Sequence, residues 1–300
     1  MILILLLHII YGATFTISKI LISYATPILV IGIRMTLAGF LLLGFSFFLD
    51  KNRIKYNFYT ISNICALAFF GIFLPYALRY WSLKYLTVLK TSLIYNLSPF
   101  ISFIFAYLFL NERISWKKIA GMTLGFLGVI PIIMAQSSAE ESIKSFLFVS
   151  WAEIAMLVSV SSFCLGWVIL KKFISKESIS SFALNGRTMI IGGILSLITS
   201  CLFEQNLTIK DPVNFSFWLI LIILMTNVTC FYLYSYLLKK YSATLISLGG
   251  LLAPLSAGFT SWILLGEKIT IDSLASGIFI VIGFLIFYLD EIKSLQSPEN

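Results

Sequence analysis

The sequence predicts an all-α polytopic membrane protein, with ten transmembrane helices arranged as two inverted five-helix repeats. Three observations lead there. Of 300 residues, 59% are apolar and only 11% charged, and the mean hydropathy is +0.99. Soluble domains carry about 25% charged residues to cover their surface, so a water-soluble globular protein is excluded. The apolar residues are gathered into runs of transmembrane length. The second half of the chain also repeats motifs of the first.

A helix needs about 20 apolar residues to cross a hydrocarbon core about 30 Å thick. Such runs extend over Ile2–Ile22, Pro27–Leu49, Tyr59–Leu83, Thr87–Leu110, Lys117–Met134, Phe146–Leu170, Ser178–Leu202, Phe215–Leu238, Ala243–Leu265 and Ile271–Leu289. They are continuous, without the alternating segments of about ten residues that mark barrel strands, so helices are predicted. The loops are too short to hold a soluble domain, so function must sit within the bundle. The first run follows Met1 with no basic region and no clean small-residue cleavage site, and is read as a retained helix rather than a signal peptide.

Loop charge orients the bundle. With the N-terminus cytoplasmic, the inner loops and tail hold Lys51, Arg53, Lys55, Arg113, Lys117, Lys118, Lys171, Lys172, Lys176, Lys239, Lys240 and Lys293, whereas the outer loops hold Lys84, Lys144, Lys210 and Lys268. This threefold bias is what the positive-inside rule demands. It places both termini in the cytoplasm and accounts for much of the net charge of +8 without nucleic acid.

The repeat is the most specific feature. Ser98-Pro99 through Leu110-Asn111-Glu112-Arg113-Ile114 matches Ala253-Pro254 through Leu265-Gly266-Glu267-Lys268-Ile269, and 254 − 99, 267 − 112 and 283 − 128 all equal 155. Arg34 with Gly39 matches Arg187 with Gly192 at a spacing of 153. Five helices per half is an odd number, so the second half enters the membrane from the opposite side. The predicted organisation is a first repeat over 1–136, an outer linker over 137–145, a second repeat over 146–289 and a cytoplasmic tail over 290–300. Inverted repeats of this kind are the architecture of alternating access.

Ten helices in two halves, each with a Pro in its fourth helix, then Leu-x-Glu-Arg/Lys-Ile, then a Gly-rich fifth helix, resemble the EamA family of the drug/metabolite transporter superfamily. The resemblance covers nearly the whole chain, and its motifs are loose but doubled at matching positions. It implies a secondary transporter of a small organic metabolite in a bacterial inner membrane. The family includes amino-acid and metabolite exporters and also uptake systems, among them S-adenosylmethionine importers of intracellular bacteria, so the metabolite stays open.

Charge inside a span is costly and usually faces the protein interior or an aqueous cavity. Lys19, Arg34, Arg79, Lys90 and Arg187 fall inside the spans, with Glu153 as the accompanying acid. This excess of positive charge suits an anionic or zwitterionic substrate such as an amino acid or an S-adenosylmethionine-like molecule, since Arg offers carboxylates a two-pronged fork. Lys19, Arg79 and Lys90 lie close enough to an outer helix end to snorkel to the interface instead. Arg34 and Arg187 are deeper, and either line a site or brace the packing of their halves.

Helix 3 presents Tyr76, Arg79 and Tyr80 on one face, helix 4 carries Tyr95 and Asn96, helix 6 Trp167 and helix 8 Tyr232. Tyr76, Tyr95, Asn96, Trp167 and Tyr232 are assigned to the substrate cavity beside Arg34, Arg187, Arg79 and Lys19. Tyr80, Trp81 and Tyr85 are assigned to the interfacial aromatic belt. Pro99 and Pro254, read as mid-helix breaks, are hinge markers. Glu112 and Glu267, each beside a basic residue, are terminal ion pairs with a gating role as the sharper alternative. Gly121, Gly125 and Gly128, with Ser276, Gly277 and Gly283, form small-residue packing stripes.

His8 and Glu153 are the acid–base groups near spans, and neither is central, so exchange or facilitated diffusion is as consistent as proton coupling. Cys65, Cys164, Cys201 and Cys230 lack paired spacing and read as reduced packing residues. A polytopic membrane enzyme or a non-transporting subunit is the alternative, but one His and no acid pair argue against intramembrane chemistry. No cofactor, metal or nucleic acid is expected. The expected partners are a small-molecule substrate and the bilayer, with the chain a monomer or homodimer.

Overall fold

The computed structural model describes residues 2–49, 58–110, 116–128, 130–134, 145–146, 149–174, 181–205, 207–230, 233, 237, 250 and 252–296. Helix α1 covers Ile2–Tyr24 and α2 Pro27–Leu49. Helix α3 (Phe58–Leu67) passes through a π-helical stretch, Ala68–Phe73, into α4 (Leu74–Ser82). Next come α5 (Val88–Tyr95), α6 (Ser98–Leu110), α7 (Trp116–Leu127) and α8 (Ile130–Met134). A two-stranded antiparallel pairing of β1 (Ser145–Phe146) with β2 (Val149–Ser150) leads into α9 (Trp151–Ile174) and α10 (Ser181–Phe203). Helix α11 (Pro212–Ile222) continues as a π-helical stretch over Ile223–Cys230, and α12 (Leu252–Leu265) and α13 (Ile271–Gln296) complete the described elements.

Seven described helical stretches are long and apolar enough to cross a membrane: Ile2–Tyr24, Pro27–Phe47, Phe58–Ser82, Val88–Phe109, Trp151–Leu170, Phe182–Phe203 and Pro212–Cys230. Leu252–Leu265 and Ile271–Gly283 are shorter apolar helices. Two expectations change in detail. The run expected over Lys117–Met134 is two helices, α7 and α8, parted after Leu127. The run expected over Thr87–Leu110 is interrupted at Asn96-Leu97, so Pro99 sits in the first turn of α6 rather than mid-helix. Pro254 is likewise in the first turn of α12. Both positions suit a residue without an N–H, because first-turn amides have no intrahelical acceptor to lose.

Helix α1 is the shared wall of two apolar cores. Its Phe15 packs with α5, α6 and α9 around Leu93, Phe100 and Met156, and its Ile17 and Leu21 pack with α2, α10 and α11 around Ile31, Met35 and Ile222. Phe40, Phe47, Ile61, Phe217, Leu255 and Trp262 point outward and are exposed. An apolar exterior of this extent belongs against acyl chains rather than water.

Close helix approach rests on small residues. A Cβ at Gly12 would meet the Ala253 carbonyl oxygen of α12, and one at Gly283 of α13 would lie 2.6 Å from the Gly125 nitrogen of α7. In lipid, such backbone proximity supplies the packing that a hydrophobic drive cannot. Gly12→Ala is therefore expected to cost about 1–3 kcal/mol by overpacking and to lower the thermal midpoint in detergent. An unchanged midpoint would contradict the α1–α12 contact.

Helix ends are satisfied from a distance. Glu204, just past α10, accepts hydrogen bonds from the Ile28 and Leu29 amides at 3.0 and 3.1 Å and from the Thr26 hydroxyl at 2.6 Å. An acid thus caps the start of α2, where orphan amides and the helix dipole favour negative charge. Asp211, at φ 45°, caps α11 through the Asn214 amide. Hydrogen bonds from Asn214, first its side chain and then its backbone, hold the Asp211 carboxyl below its usual value.

Candidate functional site

The five basic residues inside the spans find different surroundings, and those surroundings define the site. Arg34 of α2 is 1% exposed. Its Nε and Nη2 donate to the Asn227 side-chain oxygen at 3.3 and 3.2 Å, and its Nη1 donates to the Tyr80 hydroxyl oxygen at 2.7 Å. Ser18 of α1 donates to the same Tyr80 oxygen at 2.9 Å. The guanidinium thereby ties α2 to α4 and to the π-helical stretch carrying Asn227, and Tyr80 extends the tie to α1. Such polar knots are stable in apolar surroundings because the buried groups find hydrogen-bond partners in one another.

Lys19 and Lys90 do not snorkel. The Lys19 ammonium donates to the Leu86 carbonyl at 2.6 Å and pairs with Glu267 Oε1 at 2.7 Å, while Glu267 Oε2 accepts the Val88 amide at 2.8 Å. One carboxylate therefore neutralises Lys19 and caps α5, joining α1, the α4–α5 turn and the end of α12. The partner of Glu267 is Lys19, a residue far away in the chain, rather than the adjacent Lys268. Lys90 pairs with Glu153 at 2.7 Å, and both side chains are almost fully buried. Glu153 also closes a capping box at the start of α9, accepting from the Ser150 amide at 2.6 Å while its own amide donates to the Ser150 hydroxyl at 3.2 Å.

Arg79 stands apart. Tyr76, Arg79 and Tyr80 share one face of α4, as their spacing predicts. The Arg79 guanidinium lies 4.3 Å from the centre of the Tyr76 ring, 5.3 Å from Phe15, 5.8 Å from Tyr95 and 6.0 Å from Tyr80. Its Nε is buried with no hydrogen-bond partner. Among the described residues no carboxylate meets it. The rings continue away from it: Phe15 to Tyr95 at 5.5 Å, Tyr95 to Phe163 at 5.7 Å and Phe163 to Trp167 at 6.0 Å. Tyr76 also lies under Arg34, 5.6 Å from its guanidinium.

The remaining assigned residues are more dispersed. Arg187 lies in an open, mainly apolar cleft of about 430 Å³ lined by Leu43, Ile61, Ile64, Cys65, Ile190 and Ile191, and its Nη1 reaches the Ala183 carbonyl at 3.5 Å. Arg34 and Arg187 thus match in sequence but not in surroundings. Asn96 closes α5 by donating its amide back to that helix, and Trp167 is 45% exposed at the end of the ring row. Glu112 and Tyr232 lie outside the described residues. His8, near the start of α1, bonds the Ile4 carbonyl at 2.9 Å. Among the described residues no group of His, Cys, Asp and Glu is arranged to hold a metal ion.

Tyr80 corrects one expectation. Assigned to the interfacial belt, it is fully buried at the centre of the Arg34 knot. The signal was present in its helical face, shared with Tyr76 and Arg79, but proximity to the span end outweighed it. Ser18 and Phe15 carried no signal, since each lies in an apolar helix that offers several such side chains. The Ser150-x-x-Glu153 capping box is legible in the sequence as a motif.

Comparison with known proteins bears on what such an arrangement does. The model of the EamA-like transporter family matches residues 1–134 and 150–289. An S-adenosylmethionine/S-adenosylhomocysteine transporter of Chlamydia muridarum (strain MoPn / Nigg) is 30% identical over 287 residues, covering 95% of this chain and 90% of that protein. A protein of the same description from Chlamydia trachomatis serovar L2 is 29% identical over 287 residues, covering 95% and 87%. An uncharacterized transporter of Bacillus subtilis, YvbV, is 28% identical over 279 residues, covering 92% and 87%. One crystal structure superposes on 98% of both chains with a TM-score of 0.68 at 15% identity, a likeness of fold alone.

Proposed function

Because the chain belongs to the EamA-like transporter family, we propose that this multi-pass membrane protein is a secondary carrier of S-adenosylmethionine and S-adenosylhomocysteine, working by alternating access across a bacterial inner membrane. The observation that carries the reading is the 30% identity, over 95% of the chain, to a transporter of those compounds. Both compounds carry the zwitterionic amino-acid group for which the basic residues within the spans are suited.

In this reading ten spans form two inverted halves, 1–136 and 146–289, joined by the outer linker 137–145, with the tail 290–300 and the N-terminus both cytoplasmic. The two π-helical stretches support the repeat. They begin at Ala68 and Ile223, and 223 − 68 is 155, the spacing of the sequence motifs. Stretches of this kind recur at functional sites in helices. Arg34, Arg187, Arg79, Lys19, Tyr76, Tyr95, Asn96, Trp167 and Tyr232 are the proposed substrate-facing set. Pro99, Pro254, Glu112 and Glu267 are the proposed hinge and gate positions.

The test is counterflow in proteoliposomes. Vesicles preloaded with S-adenosylhomocysteine are expected to accumulate labelled S-adenosylmethionine saturably and chemically unchanged. Leakage equal to that of empty vesicles would sink the substrate assignment, and conversion of the label would revive the enzyme alternative.

A further inference from the structure

Resting on the carrier reading, we infer that Arg79 is the residue that recognises the substrate carboxylate, and that the ring row from Phe15 to Trp167 takes the flat or cationic remainder. Each of the other four cations within the spans reaches an oxygen acceptor. Lys19 is met by Glu267, Lys90 by Glu153, and Arg34 by the Asn227 and Tyr80 oxygens. Arg187 reaches the Ala183 carbonyl. Arg79 meets ring faces instead, the nearest being Tyr76 at 4.3 Å. Ring faces attract a cation but accept no strong hydrogen bond along the guanidinium plane. A guanidinium carries five N–H donors in a rigid fork, and here the Nε prong is buried without an acceptor. Nε together with one Nη is an edge that a carboxylate can bind with two parallel hydrogen bonds.

The surroundings fit that role and not a structural one. Tyr76, Tyr80, Phe15 and Tyr95 come from α4, α1 and α5 and surround the guanidinium with rings, while its buried Nε has no acceptor. A purely structural Arg in an apolar bundle would have an acceptor at every nitrogen, as Arg34 has. From this cage the row Tyr95, Phe163, Trp167 runs along α5 and α9. Aromatic faces stack on a flat base or attract an onium charge. The site therefore selects molecules with a carboxylate at one end and an aromatic or onium group at the other.

The experiment compares S-adenosylmethionine with its decarboxylated analogue by equilibrium binding to the full-length protein in nanodiscs. Wild type is expected to prefer the carboxylate-bearing compound by about 30-fold, the range of a charge-assisted hydrogen-bonded pair. Arg79→Gln should weaken S-adenosylmethionine to the level of the analogue and leave the analogue unchanged. Arg79→Lys, which keeps the charge but loses the fork, should fall between, and it serves if Arg79→Gln does not fold. Exposed Lys84→Gln should preserve the wild-type ratio. Equal binding of the two compounds by wild type, or equal weakening of both by the Arg79 variants, would overturn the assignment. If wild type binds neither compound, the S-adenosylmethionine reading fails by itself. The Arg79 assignment is then decided by the same comparison of methionine with 3-(methylthio)propylamine, where no preference overturns it.

Discussion

Replacing Glu153 with glutamine is expected to destabilise the protein by about 3–5 kcal/mol, the cost of removing one partner from a buried ion pair. The Lys90 ammonium and the Glu153 carboxylate are 2.7 Å apart, with 3% and 0% of their side chains exposed. The amide would keep an oxygen for the Ser150 amide, so the loss isolates the charge rather than the cap. Lys90→Met alone should be similarly costly because it strands the acid. The double variant Lys90→Met/Glu153→Gln should recover much of the stability, since an apolar replacement of a buried pair is often neutral. Thermal or denaturant unfolding of all four proteins in the same detergent closes the cycle. Additive single effects would show that the two charges do not sustain one another.

The second large effect concerns the end of the bundle that holds Lys19 and Glu267. Glu267 satisfies Lys19 and the Val88 amide at once, so α1, α5 and α12 are latched through one carboxylate. For a carrier that alternates as proposed, opening this end requires parting these groups. Glu267→Gln is expected to raise the reactivity of a cysteine placed at Leu86, which is fully buried, by about tenfold, a population shift of about 1.4 kcal/mol. The background must lack Cys65 and Cys201, which are exposed. Uptake should fall in parallel, because the closed state is a station of the cycle. Exchanging the two charges, Lys19→Glu with Glu267→Lys, should not restore closure, since the Val88 amide would face an ammonium instead of an acceptor. Unchanged reactivity together with unchanged uptake would remove the latch.

Much of the architecture was legible because its causes are local. An apolar run of about 20 residues reports a span whatever its neighbours are, and α1, α2 and the Phe58–Ser82 stretch fall within a residue or two of where the runs lie. The small-residue stripes were readable for the same reason, and Gly125 does face Gly283 across α7 and α13. The helical face of Tyr76, Arg79 and Tyr80 was also plain, since period alone dictates it.

What each residue meets on that face was not legible. Depth along a helix gave Lys19, Lys90 and Arg79 a route to the interface, and distance from a helix end is all that a single span can report. Whether a cation stays buried depends on the acid or ring that another helix brings to it. Lys19 finds Glu267 from 248 positions away, and Arg34 finds Asn227 from 193 away. The breaks at Asn96-Leu97 and the π-helical stretches were hidden too, because one backbone hydrogen bond more or less leaves hydropathy unchanged.

The sequence by itself determined that this chain lives in a membrane and where several of its spans run, because hydrocarbon thickness acts on each segment separately. It also determined that scarce positive charge is spent within the spans. Only the tertiary structure decided which of those cations meet an acid, which meet a neutral oxygen and which meets rings. Pairing is a property of atoms from distant segments brought within about 3 Å, and it leaves Arg79, caged by rings with a buried Nε lacking an acceptor, as the cation best placed to meet a ligand.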